Sequence, residues 1–349
     1  MPFAREPAPA SGTSPTTAIL LCNLGTPAAP TTPAVRRYLA EFLHDPRVVE
    51  ISRWVWCLIL HGIILRVRPA QSAKRYASVW TPQGSPLTVW TDKQSKLLAG
   101  YLGQRGHRVT VRFAMRYGAP SVASVMDELK AGGAQRVLVL PMYPQYCAAT
   151  TGSACDAVYA WARNVRSLPE LRFINHFHDD PGYINALVKR LTDHWMTHGR
   201  GEKLVMSFHG MPKRTQALGD PYFDECMKTA RRVAARADVK PQDLVVTFQS
   251  RLGRAEWLKP YTEPTLVQLA KQGVKRVDVM CPGFVADNLE TLEEIAQEAR
   301  DAFLKSGGTE FNYVACLNDQ HEWMTALTNL ALQHMQGWET RAPQAPTLP

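Results

Sequence analysis

Eight short apolar runs alternate with stretches of helical periodicity along the chain, and this alternation limits the possible folds more than any other feature. Alternating strands and helices are typical of parallel sheets, because each helix carries the chain back to the edge where the next strand begins. The predicted strands lie at 18–25, 108–118, 136–146, 172–177, 203–210, 243–251, 276–284 and 311–318. Four strands in each half predict an α/β protein built from two similar domains.

The length of 349 residues fits two domains of ordinary size. A predicted helix at 181–198 joins the two halves, and another at 320–336 closes the chain. The first residues lack the apolar core of a signal peptide, and both ends have the composition of disordered segments. The predicted divisions are a disordered end at 1–16, an N-terminal domain at 17–180, a C-terminal domain at 181–336 and a disordered tail at 337–349.

The cysteine pattern and the net charge limit the compartment and the partners. The seven cysteines include no C-x-x-C pair and are odd in number, so neither a disulfide scaffold nor a zinc ribbon is expected. Several lie in apolar strand-like runs, where reduced cysteine acts as a small hydrophobic residue, and a reducing cytoplasm is the expected compartment. The net charge of +9 suits an anionic partner. Because the basic residues are scattered and no nucleic-acid motif is present, no nucleic-acid partner is expected.

Unusual residues collect where the predicted strands end, as in NLGTP at 23–27, SFHGMP at 207–212 and CPGF at 281–284. In open α/β sheets, ligands bind beyond the carboxyl ends of the strands, so a ligand site between the two domains is expected. The chain contains no G-x-G-x-x-G and no G-x-x-x-x-G-K-[ST]. Dinucleotide-binding and P-loop functions therefore lose their main support.

Acidic residues recur at spacings of three and four just after CPGF. They form a ladder of carboxylates at Asp287, Glu290, Glu294, Glu298 and Asp301. These positions share one helix face, and no lysine or arginine interrupts them. Two interpretations stay open from this helix alone. It is either an amphipathic helix with a solvated face, begun by a D-x-x-E capping box of Asp287 and Glu290, or a path of carboxylates for cations.

His209 ends the predicted strand at 203–210 and is followed by the turn at Gly210. A histidine at a strand end is either a structural residue or a reactive one, and Ser207 lacks the G-x-S-x-G context of a nucleophile. Because His209 and Glu290 both lie beyond strand ends of the same half, a doubly wound sheet would place them opposite each other. Such a pair can bind a divalent metal weakly or accept protons.

The segment RWVWCLILHGIILRVR at 53–68 holds an almost unbroken apolar run at 54–65 between arginines. Roughly 12 residues are too few to cross a bilayer core, which needs about 20. A helix that is apolar on all sides is either buried in the core or exposed as a lip that meets a membrane or an apolar ligand. Both interpretations stay open.

Five long motifs occur in order along the chain. They are NLGTPAAPT at 23–31, RYASVWTPQGSPL at 75–87, SFHGMP at 207–212, FQSRLGRAEWLKPYTEPTL at 248–266 and CPGFVADNLETLEEI at 281–295. Together they resemble the ferrochelatase family over about 18–335, in its proteobacterial form. The resemblance implies the chelatase fold, with a porphyrin cleft between two similar Rossmann-like domains. It also implies the insertion of ferrous iron into protoporphyrin IX, the last step of haem synthesis.

The resemblance implies a role for each matching residue. His209 matches a cleft histidine that abstracts protons and contacts iron, and Glu290 faces it across the porphyrin. Glu294 and Glu298 match an acidic path along a partly π-helical segment, so the expected metal contacts are His209, Glu290, Glu294 and Glu298. The expected porphyrin-binding residues are Arg68, Tyr76, Ser85, Arg116 and Trp257. Asp287 is then expected to cap the helix and Asp301 to be a surface charge.

The resemblance also bears on the membrane and on cofactors. Residues 54–65 fall where the family has its membrane-facing lip, which implies a cytoplasmic protein in peripheral contact with the inner face of the membrane. No cysteine follows Cys316, so the iron–sulphur cluster of the animal enzymes is not expected, and ferrous iron is a substrate rather than a cofactor.

Asn288 replaces a histidine that many relatives carry, and Ala28 weakly favours protoporphyrin over coproporphyrin. The rival functions are a related chelatase for another metal or tetrapyrrole and a non-catalytic tetrapyrrole carrier.

Overall fold

A computed structural model describes residues 16–251, 253 and 255–341, which form two separate four-stranded sheets. The strands are Thr16–Gly25 (β1), Val109–Tyr117 (β2), Ala134–Pro141 (β3), Glu170–Phe173 (β4), Lys203–His209 (β5), Leu244–Gln249 (β6), Arg276–Met280 (β7) and Glu310–Val314 (β8). All pairings are parallel, in the order β2-β1-β3-β4 in one sheet and β6-β5-β7-β8 in the other. Both halves therefore share one topology, and the predicted α/β fold is confirmed.

Helices cover both sheets. The α-helices are Thr32–Leu43 (α1), Arg53–Ile59 (α2), Leu65–Val79 (α3), Pro86–Gln104 (α4), Val122–Ala131 (α5), Ser153–Ala162 (α6), Pro181–His198 (α7), Lys213–Ala217 (α8), Tyr222–Arg236 (α9), Thr262–Lys271 (α10), Arg300–Lys305 (α11) and His321–His334 (α12). Further helical turns are π-helical at Leu60–Ile64, Ala148–Gly152 and Glu290–Ala299, and 3₁₀ at Pro241–Asp243. The predicted joining helix coincides with α7, and the predicted last helix corresponds to α12.

One hydrophobic cluster contains residues of both sheets and joins them. Ile19 and Leu21 of β1 belong to the same buried cluster as Met206 and Phe208 of β5. Alternate residues of a strand point to opposite faces, so the intervening Leu20 packs in a second cluster under the N-terminal helices. Burial on both faces explains why the strands are near-continuous apolar runs. The shared core fixes the two sheets against each other, and with them the two sets of strand ends.

The end of the chain packs on the N-terminal half. Gln94 of α4 donates to the carbonyl oxygens of Val285 and Asn318, at 2.9 and 2.7 Å. Trp338 is buried, although it lies in the predicted disordered tail, and the Arg172 guanidinium lies 4.2 Å from its ring centre. The remainder of that tail, 342–349, and the predicted disordered end apart from its last residue lie outside the described residues.

Candidate functional site

The strand β5 ends at His209, and the turn that follows fixes its imidazole at the carboxyl edge of the sheet. The N–H of Gly210 donates to the carbonyl of Gln249 at 2.6 Å. A Cβ at position 210 would lie 2.5 Å from that oxygen, so this approach requires glycine. Nδ1 of His209 lies 2.7 Å from the Gly210 carbonyl oxygen, which can only accept. Nδ1 therefore carries a proton, and in the neutral imidazole Nε2 keeps a lone pair for a metal or a proton.

Glu290 begins the π-helical segment and lies half-buried beside His209. Burial raises the pKa of its carboxyl group, and the nearby His209 imidazole opposes part of that rise. Gln249 pairs with His209 in the register of β5 and β6, and its Nε2 atom donates to the backbone oxygen of Glu290 at 3.3 Å. The structure therefore brings together the histidine and the carboxylate that the sequence places beyond strand ends.

Two tyrosines of the N-terminal domain form an aromatic wall near the same carboxyl group. The rings of Tyr38 on α1 and Tyr76 on α3 pack edge to face, with centroids 6.5 Å apart. Burial raises the pKa of each tyrosine hydroxyl well above the ordinary value for tyrosine, and the negative charge of Glu290 contributes to both shifts. The site thus combines aromatic side chains from one domain with ionisable groups from the other.

The predicted ladder continues from Glu290 along a π-helical segment, as the resemblance implies. Glu294 accepts hydrogen bonds from the backbone N–H of Ser250, at 2.7 Å, and from the Ser250 hydroxyl. Ser250 has a φ of 64°, which turns its N–H towards the carboxylate. Further along, the exposed Glu298 pairs with Nη2 of Arg75 at 2.6 Å. Each carboxylate after Glu290 therefore has a different partner.

Glu293 lies outside the predicted ladder, yet it is the buried carboxylate of this segment. Its Oε1 atom lies 3.5 Å from Nε of Arg75. Burial raises its pKa to about 7, although the Arg75 charge opposes the shift. The sequence carries no signal for this contact, because Arg75 belongs to α3 in the other half of the chain.

The capping box predicted for Asp287 and Glu290 is wrong. The side chain of Asn288 accepts from the N–H of Thr291 at 3.1 Å, and the N–H of Asn288 donates to Oγ1 of Thr291 at 3.0 Å. This reciprocal pair has the form of a capping box, displaced by one residue from the predicted one. Asn288 therefore caps the helix.

Asp287 has a different structural role from the one predicted. It is buried and accepts from Nδ2 of Asn318 at 2.6 Å and from the hydroxyl of Tyr313 at 2.5 Å. Its carboxylate thus fixes the start of the helix to β8 and to the loop that follows β8. At the far end of the ladder, Asp301 is exposed and lies 3.7 Å from Lys305, as expected for a surface charge.

The comparisons with known proteins agree with this geometry. The family model described as Ferrochelatase matches residues 16–335. The chain belongs to the ferrochelatase family. It is 65% identical over 346 residues to the ferrochelatase of Methylibium petroleiphilum, covering 99% of this chain and 95% of that one. It is 61% identical over 348 residues to the ferrochelatase of Polaromonas sp., with the same two coverages.

Solved structures extend the likeness to the fold. SirB from Bacillus subtilis with Fe3+ superposes with a TM-score of 0.51 at 12% identity, covering 91% of this chain and 95% of that chain. The sirohydrochlorin chelatase SirB from Bacillus subtilis subspecies spizizenii, in complex with cobalt, also gives 0.51 at 12% identity, with coverages of 90% and 93%. At this identity the likeness shows the chelatase fold alone. The predicted ferrochelatase family and its fold are both confirmed.

In this ferrochelatase-family chain, two of the predicted porphyrin-binding residues lie where the backbone is tightly packed. Trp257 forms a β-bridge with Pro212, and its ring packs over Gly210, with Cε3 3.3 Å from where a Cβ would lie. The indole is therefore next to the residue that follows His209. Ser85 is buried at the N-terminus of α4, where its carbonyl begins the helix.

The two predicted arginines differ in their surroundings. Arg116 of β2 donates from Nη2 to Asp45 at 2.6 Å and from Nε to Oγ of Ser153 at 2.7 Å, so much of its hydrogen-bonding capacity is used inside the domain. Arg68 on α3 is exposed and makes no hydrogen bond or ion pair to another described residue. Its guanidinium is available to an anionic group of a ligand.

The apolar run at 54–65 is an exposed lip in this ferrochelatase-family chain, and the alternative interpretation as a core helix is wrong. Trp54 is 87% exposed and Leu58 is 78% exposed, whereas Leu60 and Leu65 are buried and attach the lip to the domain. The lip comprises α2 and the π-helical turn that leads into α3. No helix in the described part of the chain is both long and apolar enough to cross a membrane.

Proposed function

We propose that this chain inserts ferrous iron into protoporphyrin IX with release of two protons, which forms protohaem in the last step of haem biosynthesis. The observation that carries the proposal is the imidazole of His209, with Nδ1 against the Gly210 carbonyl oxygen, beside the Glu290 carboxyl group in a chain of the ferrochelatase family. By reaction class the enzyme is a lyase. The iron is its substrate.

The chemistry requires a base next to a bent ring. Free porphyrin carries two pyrrole N–H groups, and its nitrogen lone pairs lie in the ring plane, where a cation cannot reach them. Tyr76 and Trp257 supply apolar surface against which the macrocycle can be held out of plane. Nε2 of His209 accepts the protons in turn, because Nδ1 of the ring is occupied by its contact with the Gly210 carbonyl oxygen. Glu290, whose pKa burial raises, is suited to take a proton onward.

The remaining carboxylates lead away from the reacting centre. Glu294 and Glu298 follow Glu290 on one segment and continue from a half-buried to an exposed position. Carboxylate oxygens suit both a hydrated cation and a proton in transit. We therefore assign His209 and Glu290 to the reacting centre, and these two with Glu294 and Glu298 to iron contact.

The porphyrin propionates require cations and hydrogen-bond donors at the rim. Arg68 suits this task best, because its exposed guanidinium has no partner among the described residues. Ser85 and Arg116 complete the proposed contacts. For Arg116 the proposal requires that its remaining N–H groups reach the ligand, since Asp45 and Ser153 already accept from the others.

We propose that no iron–sulphur cluster is needed. Cluster ligands are usually closely spaced cysteine thiolates, whereas the seven cysteines of this chain include no C-x-x-C pair. A cytoplasmic chain with reduced cysteines is consistent with this chemistry.

We also propose peripheral contact with the inner face of the membrane through residues 54–65. Exposed tryptophan and leucine side chains beside arginines suit the boundary between anionic headgroups and acyl chains. This placement would let an apolar porphyrin pass between membrane and cleft without crossing water.

An anaerobic assay with purified protein, protoporphyrin IX and ferrous iron tests the proposed reaction. The wild type should form protohaem, and coproporphyrin should react more slowly. His209→Ala should lower kcat by about 10² to 10⁴-fold, while porphyrin binding, followed by fluorescence quenching, persists. His321→Ala removes another imidazole, which is exposed and hydrogen-bonded to Tyr101, and should leave turnover unchanged. Porphyrin binding without metallation by the wild type would favour the carrier, and full activity of His209→Ala would refute the mechanism.

A further inference from the structure

A second group of metal-ligand side chains lies outside the cleft. His176 and His178 lie between β4 and α7, and Glu225 lies in the first turn of α9. Their ligand atoms all fall within 4.8 Å of one another. We call these three residues the junction cluster, because the histidines follow the N-terminal sheet and the glutamate belongs to the C-terminal domain.

The junction cluster is preorganised around one carboxylate. Nδ1 of His176 lies 2.6 Å from Oε1 of Glu225, and the backbone N–H of Tyr146 donates to Oε2 at 2.7 Å. Glu225 is 7% exposed and His178 is 5% exposed, so neither position is a solvated surface charge. Buried ionised groups of this kind are held by partners or by metals.

One nitrogen of the cluster points into it without a hydrogen-bond partner. Nδ1 of His178 is buried and lies 3.2 Å from Oε2 of Glu225 without hydrogen-bond geometry, so the two groups form an ion pair only when the imidazole is protonated. A buried imidazole nitrogen without a hydrogen bond is costly unless another group, such as a cation, takes its lone pair. The carbonyl oxygen of His178 accepts from Thr229, which holds the backbone at this position.

The distances suit a transition-metal ion after a small movement. Ligand atoms around a tetrahedral ion at 2.0–2.2 Å lie roughly 3.3 Å apart. The separation of 3.2 Å between His178 Nδ1 and Glu225 Oε2 already fits this value. The 2.6 Å contact of His176 must open by several tenths of an ångström, and its side chain is 50% exposed and can move outward. The hydrogen bond from Tyr146 orients the carboxylate, as outer-shell donors do in metal sites.

We propose that the junction cluster binds one divalent first-row transition metal ion through Nδ1 of His176, Nδ1 of His178 and the carboxylate of Glu225. Two imidazoles and a carboxylate suit zinc, cobalt(II) and ferrous iron. The ion replaces the proton between His176 and Glu225, and water fills the position on the exposed His176 side.

The bound ion would join elements that surround the cleft. Glu225 accepts from Tyr146 in the loop that follows β3, and one turn earlier on α9 the hydroxyl of Tyr222 donates to the carbonyl of His209 at 3.0 Å. Metal binding would therefore fix α9 between the two domains without contacting the imidazole of His209. Binding to the folded state alone would raise thermal stability.

Titration of the metal-free, full-length protein with Zn²⁺ and Co²⁺ in the absence of porphyrin tests the proposal. His209→Ala serves as background, so that the cleft imidazole cannot contribute. We expect one tight equivalent by calorimetry, visible Co²⁺ ligand-field bands and a higher melting temperature with Zn²⁺. Adding His176→Ala should weaken affinity at least tenfold, and adding His178→Ala should abolish the bands. His198→Ala, at an exposed histidine of α7, is the matched control and should change nothing.

Unchanged binding in the His176→Ala variant, or binding only at millimolar metal, would overturn the proposal. If His178→Ala fails to fold, the metal affinity of the His176→Ala variant still tests the proposal, because truncating the half-exposed His176 leaves the core intact. In the wild-type background, His176→Ala should retain the rate of iron insertion. A loss as large as that of His209→Ala would show that the junction cluster is not a separate site.

Discussion

Nη2 of Arg75 lies 2.6 Å from Oε1 of Glu298, so a cation from the N-terminal domain pairs with an exposed carboxylate of the ladder. Nε of the same guanidinium lies 3.5 Å from Glu293. The ladder contains no basic residue of its own, and like charges at these spacings repel. Arg75 on α3 offsets part of this repulsion, and its guanidinium consequently competes with any cation that moves along the carboxylate ladder.

Arg75→Met should therefore lower the KM for ferrous iron, because Glu298, a proposed iron contact, loses the cation that competes for its carboxylate. A pair as exposed as Arg75 and Glu298 is worth at most ~1 kcal/mol, which corresponds to a decrease of up to about fivefold. Initial rates against iron concentration at saturating porphyrin measure it, and high salt should reduce the difference. Lys74→Met removes an exposed cation from the same helix and serves as control. A rise in KM, or equal changes in both variants, would contradict the competition.

Glu293 should make stability depend on pH with a definite sign. Its pKa rises from 4.5 to about 7 on folding. Between pH 4.5 and pH 7 the folded protein therefore holds a proton that the unfolded chain has lost, and the stability of the wild type falls as pH rises. Glu293→Gln removes this effect. The variant should gain up to ~3 kcal/mol relative to wild type between pH 4.5 and pH 8, less what it loses with the Arg75 contact.

Urea unfolding at several pH values measures the difference, with Glu298→Gln as the control at an exposed position of the same segment. The stability difference between Glu298→Gln and wild type should change little with pH. A stability difference between wild type and Glu293→Gln that stays constant from pH 4.5 to pH 8 would contradict the raised pKa.

The two end residues of the sequence ladder should respond very differently to truncation. Asp287→Ala removes the carboxylate that accepts from Tyr313 and leaves the buried Asn318 amide without this acceptor, so it should lower the free energy of unfolding by ~3 kcal/mol. Asp301→Ala, at an exposed charge, should change it by no more than ~0.5 kcal/mol. Guanidinium unfolding of both variants checks the pair. Similar losses would show that Asp287 is not a structural acceptor.

The sequence predicts the fold and the centre of the site well, because both depend on local patterns. Burial on both faces makes each parallel strand an apolar run, and β5 ends at the predicted His209. The strand β7 stops at Met280 instead of Phe284, since the turn CPGF leaves the sheet before its apolar residues end. Apolar character alone therefore overextends a strand.

Contacts between the domains lie beyond sequence patterns. The helix cap falls on Asn288 because Asp287, the better local candidate, is recruited by Tyr313 and Asn318 from β8 and the loop after it. Glu293 and Arg75 lie more than 200 positions apart in the sequence, at 293 and 75, and only the tertiary structure places them in contact. A pattern along one helix cannot reveal a partner that another domain supplies.

The lip should bind anionic membranes through its exposed apolar side chains. Burying a side chain such as Leu58 in the acyl boundary contributes about 1.5–3 kcal/mol, so Leu58→Glu should reduce binding to vesicles at least about tenfold. Met196→Glu, at a residue 77% exposed on α7, is the matched control and should bind as the wild type does. Co-sedimentation with vesicles of mixed neutral and anionic lipid measures binding, and salt should weaken it because Arg53 and Arg68 flank the lip. Unchanged vesicle binding by Leu58→Glu, together with loss of a dimer in sedimentation, would instead assign the lip to a contact between two copies of the chain.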